Sequence, residues 1–400
     1  MRENLSSNRH TVSKMKTKQA FEKPFIGTSE HDGVTLLYDP VAGYSTVLKY
    51  ENLAQNLGAD PSQYSNQHNL LGEIIKKVGP GHNIQKTDII CKKKFNQTTT
   101  SDDYLDKKYF AHFNGRKSNK VESYITITKE NAKKGMFGFS KQEIKEFSTK
   151  IHKTVDTIHT TNGSADILDK NKLNALFARY VAFDFNNETF SFNNIKADST
   201  GLDFGDKRLQ IISLIDVDEL NIPNTITAFK TDNSIGNDFP TDNFSFLFDC
   251  PDVDTILYNQ VVFIPDQLKV KKELELKKKR HSSMPDAANQ ISVQDIESMF
   301  LDIAADNELL VYCHFSIMVF ADKNKIDKAV NFIDTSLFGL GIIPGRNTYN
   351  QMELFRGGIP GNSCEINPKY DRFLTSRSAA TCFFFKESLP KSEKSNYLLY

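Results

Sequence analysis

A long apolar segment followed at once by an amphipathic helix is the feature that most limits how this chain folds. In LLVYCHFSIMVF, residues 309–320, alternate apolar side chains share one face of an extended strand: Leu309, Val311, Cys313, Phe315, Ile317 and Val319. The next apolar residues recur at helical spacing until Gly339 and Gly341 end the helix: Ile326, Val330, Ile333 and Leu337. Ile342-Ile343 predicts a return strand, which makes a ferredoxin-like β-α-β unit whose first strand is interior.

The rest of the chain changes irregularly between strand and helix patterns. VTLLYD and YSTVLKY, separated by Pro40 and Gly43, predict a hairpin, and LQIISLID and FSFLFD predict further strands. Ser140, with Glu143 three residues later, predicts a capping box at the start of a helix with one apolar stripe. Further helices are predicted near 71–78, 103–111 and 169–182. The pattern indicates an α+β fold with mostly antiparallel sheets.

Changes of composition along the chain predict three segments. Residues 1–24 are polar and basic and predict a flexible arm, residues 25–183 a first α+β subdomain, and residues 184–400 a second. From 184 to 254 the chain has 14 acidic and 4 basic residues, which predicts an exposed, loop-rich region. From 266 to 280 it has 7 basic and 3 acidic residues among good helix formers, which predicts a charged helical arm on the surface.

Composition and charge exclude several classes of protein. A hydrophobic fraction of 39% fills sizeable cores, so the chain is not disordered throughout. Fifty Lys plus Arg balance 50 Asp plus Glu, so no overall field draws it to nucleic acid or anionic lipid. No stretch reaches the roughly 18 apolar residues of a membrane helix. The first residues lack the apolar core of a secretory signal, and five widely spaced cysteines indicate reduced thiols in the cytosol.

Catalytic and metal-binding motifs are missing from the sequence. No Gly is followed by Lys, which excludes a P-loop, and neither Gly-x-Gly extends to a dinucleotide fingerprint. There is no Cys-x-x-Cys or His-x-x-x-His to supply two metal ligands from one turn, and no Gly-x-Ser-x-Gly. Basic residues at 92–94 and 269–280 could contact phosphate, but such runs are more often solvated faces. The motifs therefore predict no catalytic, cofactor or metal site.

Several short strings, taken in their order, resemble a family. They are Gly205-Asp206-Lys207-Arg208 before a strand, Tyr258-Asn259-Gln260, the charged helix, His314-Phe315, Gly358-Ile359-Pro360-Gly361-Asn362 and Leu374-Thr375-Ser376-Arg377. This order is similar to the TraG-type conjugation ATPases of conjugative transposons, which belong to the type IV secretion assembly ATPases. The resemblance covers about residues 25 to 400 and corresponds to the amino-terminal, non-motor half of such a protein.

The resemblance implies a docking and assembly role without hydrolysis. In the family a motor domain with the P-loop follows this region, so ATP and Mg²⁺ are expected only there. The implied location is the cytoplasmic side of the inner membrane, and the implied partners are inner-membrane channel subunits, the chain's own motor domain and further copies of the chain. We expect no direct nucleic-acid binding. The residues predicted to contact partners or motor are Lys277, Lys278, Lys279, Arg280, Thr375, Ser376 and Arg377.

A second hypothesis comes from another functional class. The chain would then be a self-contained α+β enzyme with a dispersed active site, in which Cys313, His314 and the acidic clusters converge. On a strand, neighbouring side chains point to opposite faces, so Cys313 and His314 are equally explained as a buried thiol and an independent histidine. A Gly-x-x-x-x-Gly-Lys-Ser in the reading frame beyond Tyr400 would favour the docking hypothesis.

Overall fold

The structure is a computed structural model that describes residues 25–41, 43–51, 61–94, 103–131, 140–161, 163–187, 191–214, 227–232, 237–284, 286–345 and 348–386. It confirms an α+β fold with a large antiparallel sheet. The predicted arm at 1–24 lies outside these residues. The strands are β1 (Gly27–His31), β2 (Val34–Tyr38), β3 (Tyr44–Glu51), β4 (His82–Lys94), β5 (Lys117–Lys129), β6 (Ser164–Ile167), β7 (Ile195–Ala197), β8 (Leu202–Phe204), β9 (Lys207–Ser213), β10 (Thr227–Asp232), β11 (Asn237–Asp242), β12 (Thr255–Ile264), β13 (Leu310–Asp322) and β14 (Phe373–Ser376).

One sheet joins both predicted subdomains. Within the described ranges its order is β1-β2-β3-β5-β4-β12-β13-β9-β8-β7, with β6 beside β3 and β14 beside β13, and every pairing is antiparallel. The predicted boundary at 183/184 is crossed where β4 pairs with β12 from Thr255↔Cys91 to Ile264↔His82. The predicted hairpin of VTLLYD and YSTVLKY is confirmed as β2 and β3.

The helices begin and end where local chemistry allows. Ser140 and Glu143 form the predicted capping box, and the side chain of Asp169 accepts from two backbone amides of the next helix. Gly79, at a φ of +74°, follows the last residue of the first helix. The helices are α1 (Pro61–Val78), α2 (Tyr104–Phe113), α3 (Lys141–Thr160), α4 (Lys170–Ala182), α5 (Gln267–Ser282), α6 (Ala287–Asp306), α7 (Ile326–Gly339), α8 (Gln351–Gly357) and α9 (Arg377–Cys382).

Apolar side chains cover both faces of the sheet. On the first face, α1, α3, α7 and α9 contribute to one large cluster, and on the second face α4 and α8 contribute to another. The central strand β12 is buried along its whole length, because it has a strand on each side and helices above and below. Any polar side chain on the central strands must therefore find its partners inside the protein.

The predicted interior strand and its helix are confirmed, while the predicted return strand is not. β13 runs between β12 and β9, and Ile333 of α7 is completely buried against the first face. Residues 340–345, directly after α7, make only isolated bridges, one of which joins Gly345 to Ser213, so Ile342-Ile343 is not a strand. The ferredoxin-like outline stays a prediction, since a full third strand is lacking at this point.

Two predictions for the acidic region are wrong. FSFLFD does not form a strand: Ser245–Asp249 is a 3₁₀-helix that buries Leu247 and Phe248 on the first face, a spacing that an extended chain cannot bury on one side. Nor is its described part exposed throughout, because β8 and β9 extend the sheet and bury Leu202 and Leu209. Its residues 215–226 and 233–236 lie outside the described residues.

The predicted charged arm is a surface helix, as expected, but it is not alone. α5 packs on α6, a helix that the sequence patterns did not predict, and the two form a helical hairpin, residues 267–306. Its small core contains Val270, Leu274 and Ile296, which join Leu310 at the start of β13. The hairpin therefore stands at one end of the interior strand.

Candidate docking surface

Local hydrogen bonds hold the α5–α6 hairpin on the sheet. The Asp266 carboxylate caps α5 by accepting from the Leu268 amide at 2.9 Å. The Gln267 side chain donates from Nε2 to the Leu310 carbonyl and accepts the Leu310 amide at Oε1, both at 2.9 Å. Asp286 caps α6 through the Asn289 amide at 2.8 Å. The two hydrogen bonds between Gln267 and Leu310, at the start of β13, orient the hairpin relative to the sheet.

The hairpin exposes large apolar side chains on both helices and at Met284 in the turn between them. Their exposed fractions are 72% for Leu268, 55% for Leu276, 66% for Met284, 58% for Ile291 and 69% for Leu301. Single exposed apolar residues are ordinary on a protein surface, but clustering on one element marks an interaction site. The hairpin is therefore the strongest candidate for a docking surface among the described residues.

Cations accompany these apolar residues on α5. Leu268, Lys272, Leu276 and Lys279 follow one another at i, i+4, i+8 and i+11 and share the face opposite the buried Leu274. Alternating leucine and lysine on a solvent face suits a partner that offers both apolar and acidic groups. Lys279 also lies in the last turn of α5, where the helix dipole favours a cation.

The four predicted contact residues at 277–280 lie in this last part of α5. Lys277, Lys279 and Arg280 are exposed. Lys278 is half-buried, and its Nζ pairs with Glu297 of α6 at 2.7 Å. Three of the four are therefore exposed, while Lys278 joins the two helices, and contact of these residues with a partner stays a prediction.

The predicted residues Thr375, Ser376 and Arg377 lie in the frame of the fold. Thr375 is buried in β14, where it pairs with Val311 of β13. Ser376 caps α9 by accepting from the Ala379 amide at 3.3 Å. The Arg377 guanidinium binds Glu308 through two hydrogen bonds, with Nη2 2.9 Å from Oε1. Their contact with a partner or motor stays a prediction, and their observed contacts are internal.

A buried group of charges on the first face holds the last described segment, residues 383–386. Lys86 and Asp88 of β4 are almost completely buried, with Nζ 2.6 Å from Oδ1. Asp88 also accepts from Ser123 and, at 2.6 Å, from Gln260 Nε2. Lys86 donates in turn to the Phe385 carbonyl at 2.7 Å. Burial lowers the pKa of Lys86, which the nearby Asp88 counteracts.

Further contacts secure both sides of residues 383–386. The Tyr258 hydroxyl donates to the Phe383 carbonyl at 2.9 Å, and the Phe385 amide donates to Gln260 Oε1 at 2.7 Å. The Lys386 amide donates to Asp242 at 2.9 Å. Gln260 and Tyr258, two residues of the Tyr258-Asn259-Gln260 string, thus bind this segment directly.

A second polar group lies on the opposite face of the sheet and holds the Gly-Ile-Pro-Gly-Asn string. The Gly361 amide donates to Gln85 Oε1 at 3.1 Å, and Gln85 Nε2 donates to Asn259 at 2.9 Å. Ser363 donates to Asn83 at 3.1 Å. Gly361 has a φ of +84°, which disfavours any side chain there. Strings that are distant in sequence therefore meet on the two faces of β4 and β12.

Sequence patterns did not point to the buried residues Lys86, Asp88 and Gln85. Polar residues in NIQKTDIIC look like the solvent side of a strand, since a charged residue is seldom fully buried. The only indication in the sequence was the Tyr258-Asn259-Gln260 string, in which three consecutive side chains with polar groups interrupt an otherwise apolar strand.

The residues named in the enzyme hypothesis do not converge. Cys313 and His314 are fully buried on opposite faces of β13. His314 uses both ring nitrogens, with Nδ1 2.8 Å from the Asp371 carbonyl and Nε2 3.2 Å from Ser316 Oγ, and burial lowers its pKa to about 4. Burial raises the pKa of the Cys313 thiol, which makes it a poor nucleophile. All five cysteines are free thiols.

Neither a metal site nor a membrane span is found in the part of the chain that the structure describes. No three His, Cys, Asp or Glu side chains there are grouped to hold a metal ion. No described helix combines the length and apolarity needed to cross a bilayer. No protein-family model matches the chain, and no curated protein shows significant similarity to it. Any function must therefore be argued from the surfaces and contacts above.

Proposed function

We propose that this chain is the assembly and docking half of a TraG-type conjugation ATPase, which positions a motor domain at an inner-membrane secretion channel. The observation that carries the proposal is the α5–α6 hairpin, where five exposed large apolar residues accompany the cations of α5. An element seated on the interior strand by Gln267 presents this surface in a fixed orientation. The proposed partners are channel subunits with acidic and apolar contact surfaces.

The buried polar groups support the positioning role. Residues 383–386 are bound to the central strands by hydrogen bonds that Tyr258 and Lys86 donate and that Gln260 accepts. In the proposed role, this attachment gives the following motor a fixed point of departure from the sheet. One string of the family resemblance, Tyr258-Asn259-Gln260, supplies two of the residues in these contacts.

Nucleotide chemistry is assigned to the motor and not to this chain. ATP with Mg²⁺ needs a backbone cradle and a Lys for the phosphates, and no Gly in the sequence is followed by Lys. The residues present thus do not fit the nucleotide, and no catalytic step is derived through it. Self-association of the full protein and a peripheral position at the inner membrane belong to the same proposal.

The docking proposal is tested by co-purification with inner-membrane secretion-channel subunits. Replacing Lys277, Lys278, Lys279 and Arg280 by Gln removes four positive charges and is expected to weaken retention. Each charge contributes up to about 1 kcal/mol to binding, and every 1.4 kcal/mol lost lowers the affinity for the channel subunits roughly tenfold. Leu276→Ser is expected to weaken retention further, because it removes an apolar side chain that would contact the partner. Both effects follow from the mixed apolar and cationic face of α5.

A matched control uses exposed lysines on other helices. Gln at Lys141, Lys145, Lys153 and Lys170 removes the same charge from α3 and α4. These side chains are exposed, and the replacement is expected to leave retention unchanged. Equal retention of wild type and the hairpin variants, with the fold intact by circular dichroism, would contradict docking through the hairpin.

A further inference from the structure

A second exposed element stands at the far end of the β4–β5 pair. The two strands pair from His82↔Lys129 to Lys94↔Lys117, and α2 belongs to the connection between them. No residue of α2 is buried. A helix of ten residues is marginal in water unless one side packs on something. The exposed side of α2 is therefore a candidate contact surface in its own right.

That side is rich in aromatic and aliphatic groups. The exposed fractions are 69% for Tyr104, 72% for Leu105 and 57% for Tyr109. Tyr104, Leu105, Lys108, Tyr109 and His112 fall within one face of the helix by their spacing. A face of this composition combines apolar surface with positive charge.

The stretch of chain that contains α2 has more cations than anions. Lys107 and Lys108 are exposed on α2, and Lys93 and Lys94 are exposed at the end of β4. Against them stand Asp103, whose carboxylate caps α2 by accepting from the Leu105 amide at 2.9 Å, and Asp106 in the first turn. In all, residues 93–117 contain six Lys or Arg and three Asp, although the chain as a whole is neutral.

The aromatic rings are already engaged with neighbours. Tyr109 lies 4.6 Å from Phe113 between ring centroids and 5.7 Å from Phe110. Lys108 Nζ lies 5.5 Å from the Tyr104 centroid, and the Arg116 guanidinium lies 5.4 Å from that of Phe113. Single-stranded nucleic acid needs open ring faces on which bases stack. Rings that already contact neighbouring side chains, together with the exposed Leu105, are better suited to a lipid interface than to base stacking.

We propose that the face of α2 formed by Tyr104, Leu105, Lys108 and Tyr109 rests on the surface of an anionic phospholipid bilayer. Tyrosine rings and Leu105 enter the boundary between headgroups and acyl chains, while the lysines remain at the headgroup level. Each Lys or Arg near such a surface adds attraction that decays within a Debye length. Binding is therefore reversible and depends on salt. The inference uses a different surface from the α5–α6 hairpin and does not rest on the docking proposal.

The sequence contains no tryptophan, so one introduced residue reports on one place only. Tyr109→Trp puts a fluorophore in the proposed contact. Its emission is expected to shift to the blue with vesicles of phosphatidylglycerol and phosphatidylcholine, and not with phosphatidylcholine alone. Tyr370→Trp is the matched control, since Tyr370 is 66% exposed and has Lys369 Nζ 5.0 Å from its ring centroid. Its emission is expected to stay unchanged.

The charge dependence is measured on the same Tyr109→Trp background. Replacing Lys107 and Lys108 by Gln is expected to lower the vesicle partition coefficient roughly thirtyfold. The corresponding change at Lys141 and Lys145 of α3 removes equal charge elsewhere and is expected to have little effect. Added salt is expected to reduce binding of the parent and to narrow its difference from the charge variant.

Three results would overturn the inference. The first is an emission spectrum at position 109 that does not respond to anionic vesicles. The second is an equal response at position 370, which would indicate non-specific adsorption. The third is a response at position 109 to a single-stranded oligonucleotide but not to vesicles, which would make α2 a nucleic-acid surface. Hairpin variants that lose channel subunits but keep vesicle binding would separate this inference from the proposed function.

Discussion

The buried pair of Lys86 and Asp88 offers the sharpest test of the physical account of this fold. Asp88→Asn keeps the shape of the side chain, removes its charge and leaves the Lys86 ammonium in the protein interior. Lys86 then has only neutral acceptors in this group, the amide oxygen at position 88 and the Phe385 carbonyl, which lies 2.7 Å from Nζ. Since both residues are at most 1% exposed, water does not replace the lost partner.

The expected loss in the free energy of unfolding follows from the burial of Lys86 without a charged partner. Removing one partner of a buried ion pair destabilises a protein by about 3–5 kcal/mol, because the other charge is left uncompensated. Replacing both, as Lys86→Met with Asp88→Asn, removes both charges of the pair and leaves an amide oxygen at position 88 for Gln260. We expect the double variant to be more stable than Asp88→Asn alone, by about 1–3 kcal/mol.

Urea unfolding, monitored by circular dichroism, measures the stability of both variants. When the dependence of the unfolding free energy on urea concentration is unchanged, a shift of the unfolding midpoint reports the change in stability. Asp322→Asn is the control, because its partner Lys325 lies 2.6 Å away in an exposed pair. An exposed pair contributes about 0–1 kcal/mol, so this variant is expected to unfold near the wild-type midpoint. If Asp88→Asn behaves like Asp322→Asn, or if the double variant is the least stable of the set, the buried charges do not act as argued.

The remaining predictions concern the core, acid stability, a turn and nucleotide. Ile333→Asp places a charge in the first-face core and is expected to cost several kcal/mol, whereas Phe338→Asp on the exposed side of the same helix leaves the melting temperature unchanged. Burial lowers the pKa of His314 to about 4, below its unfolded value of about 6.5, so the free energy of unfolding is expected to fall as the pH drops from 6.5 to 4. Urea titrations at several pH values measure this fall, and in His314→Gln this part of the acid dependence is expected to disappear. Gly361→Ala, at a φ of +84°, is expected to lose about 1–2 kcal/mol in the same assay. Calorimetry is expected to detect no ATP binding at micromolar nucleotide, and micromolar affinity in a contaminant-free sample would refute that.

Local sequence patterns determined the elements whose stability is decided by near neighbours. The capping box of Ser140 and Glu143 specifies the start of α3 through two contacts within three residues. The apolar stripe of α7 and the alternation in β13 likewise indicate which side of each element is buried, since helix and strand periods are local properties. The surface position of α5 also follows from its own composition.

Tertiary structure alone decided which strands are neighbours and where polar groups are buried. Pairing of β4 with β12 places Asp88 beside Gln260, far away in sequence, and no local period contains that register. In the acidic region, FSFLFD became a 3₁₀-helix because the first-face cluster accepts Leu247 and Phe248 together. Residues 383–386 are bound through partners on β4 and β12, because only the assembled sheet brings these side chains to one place.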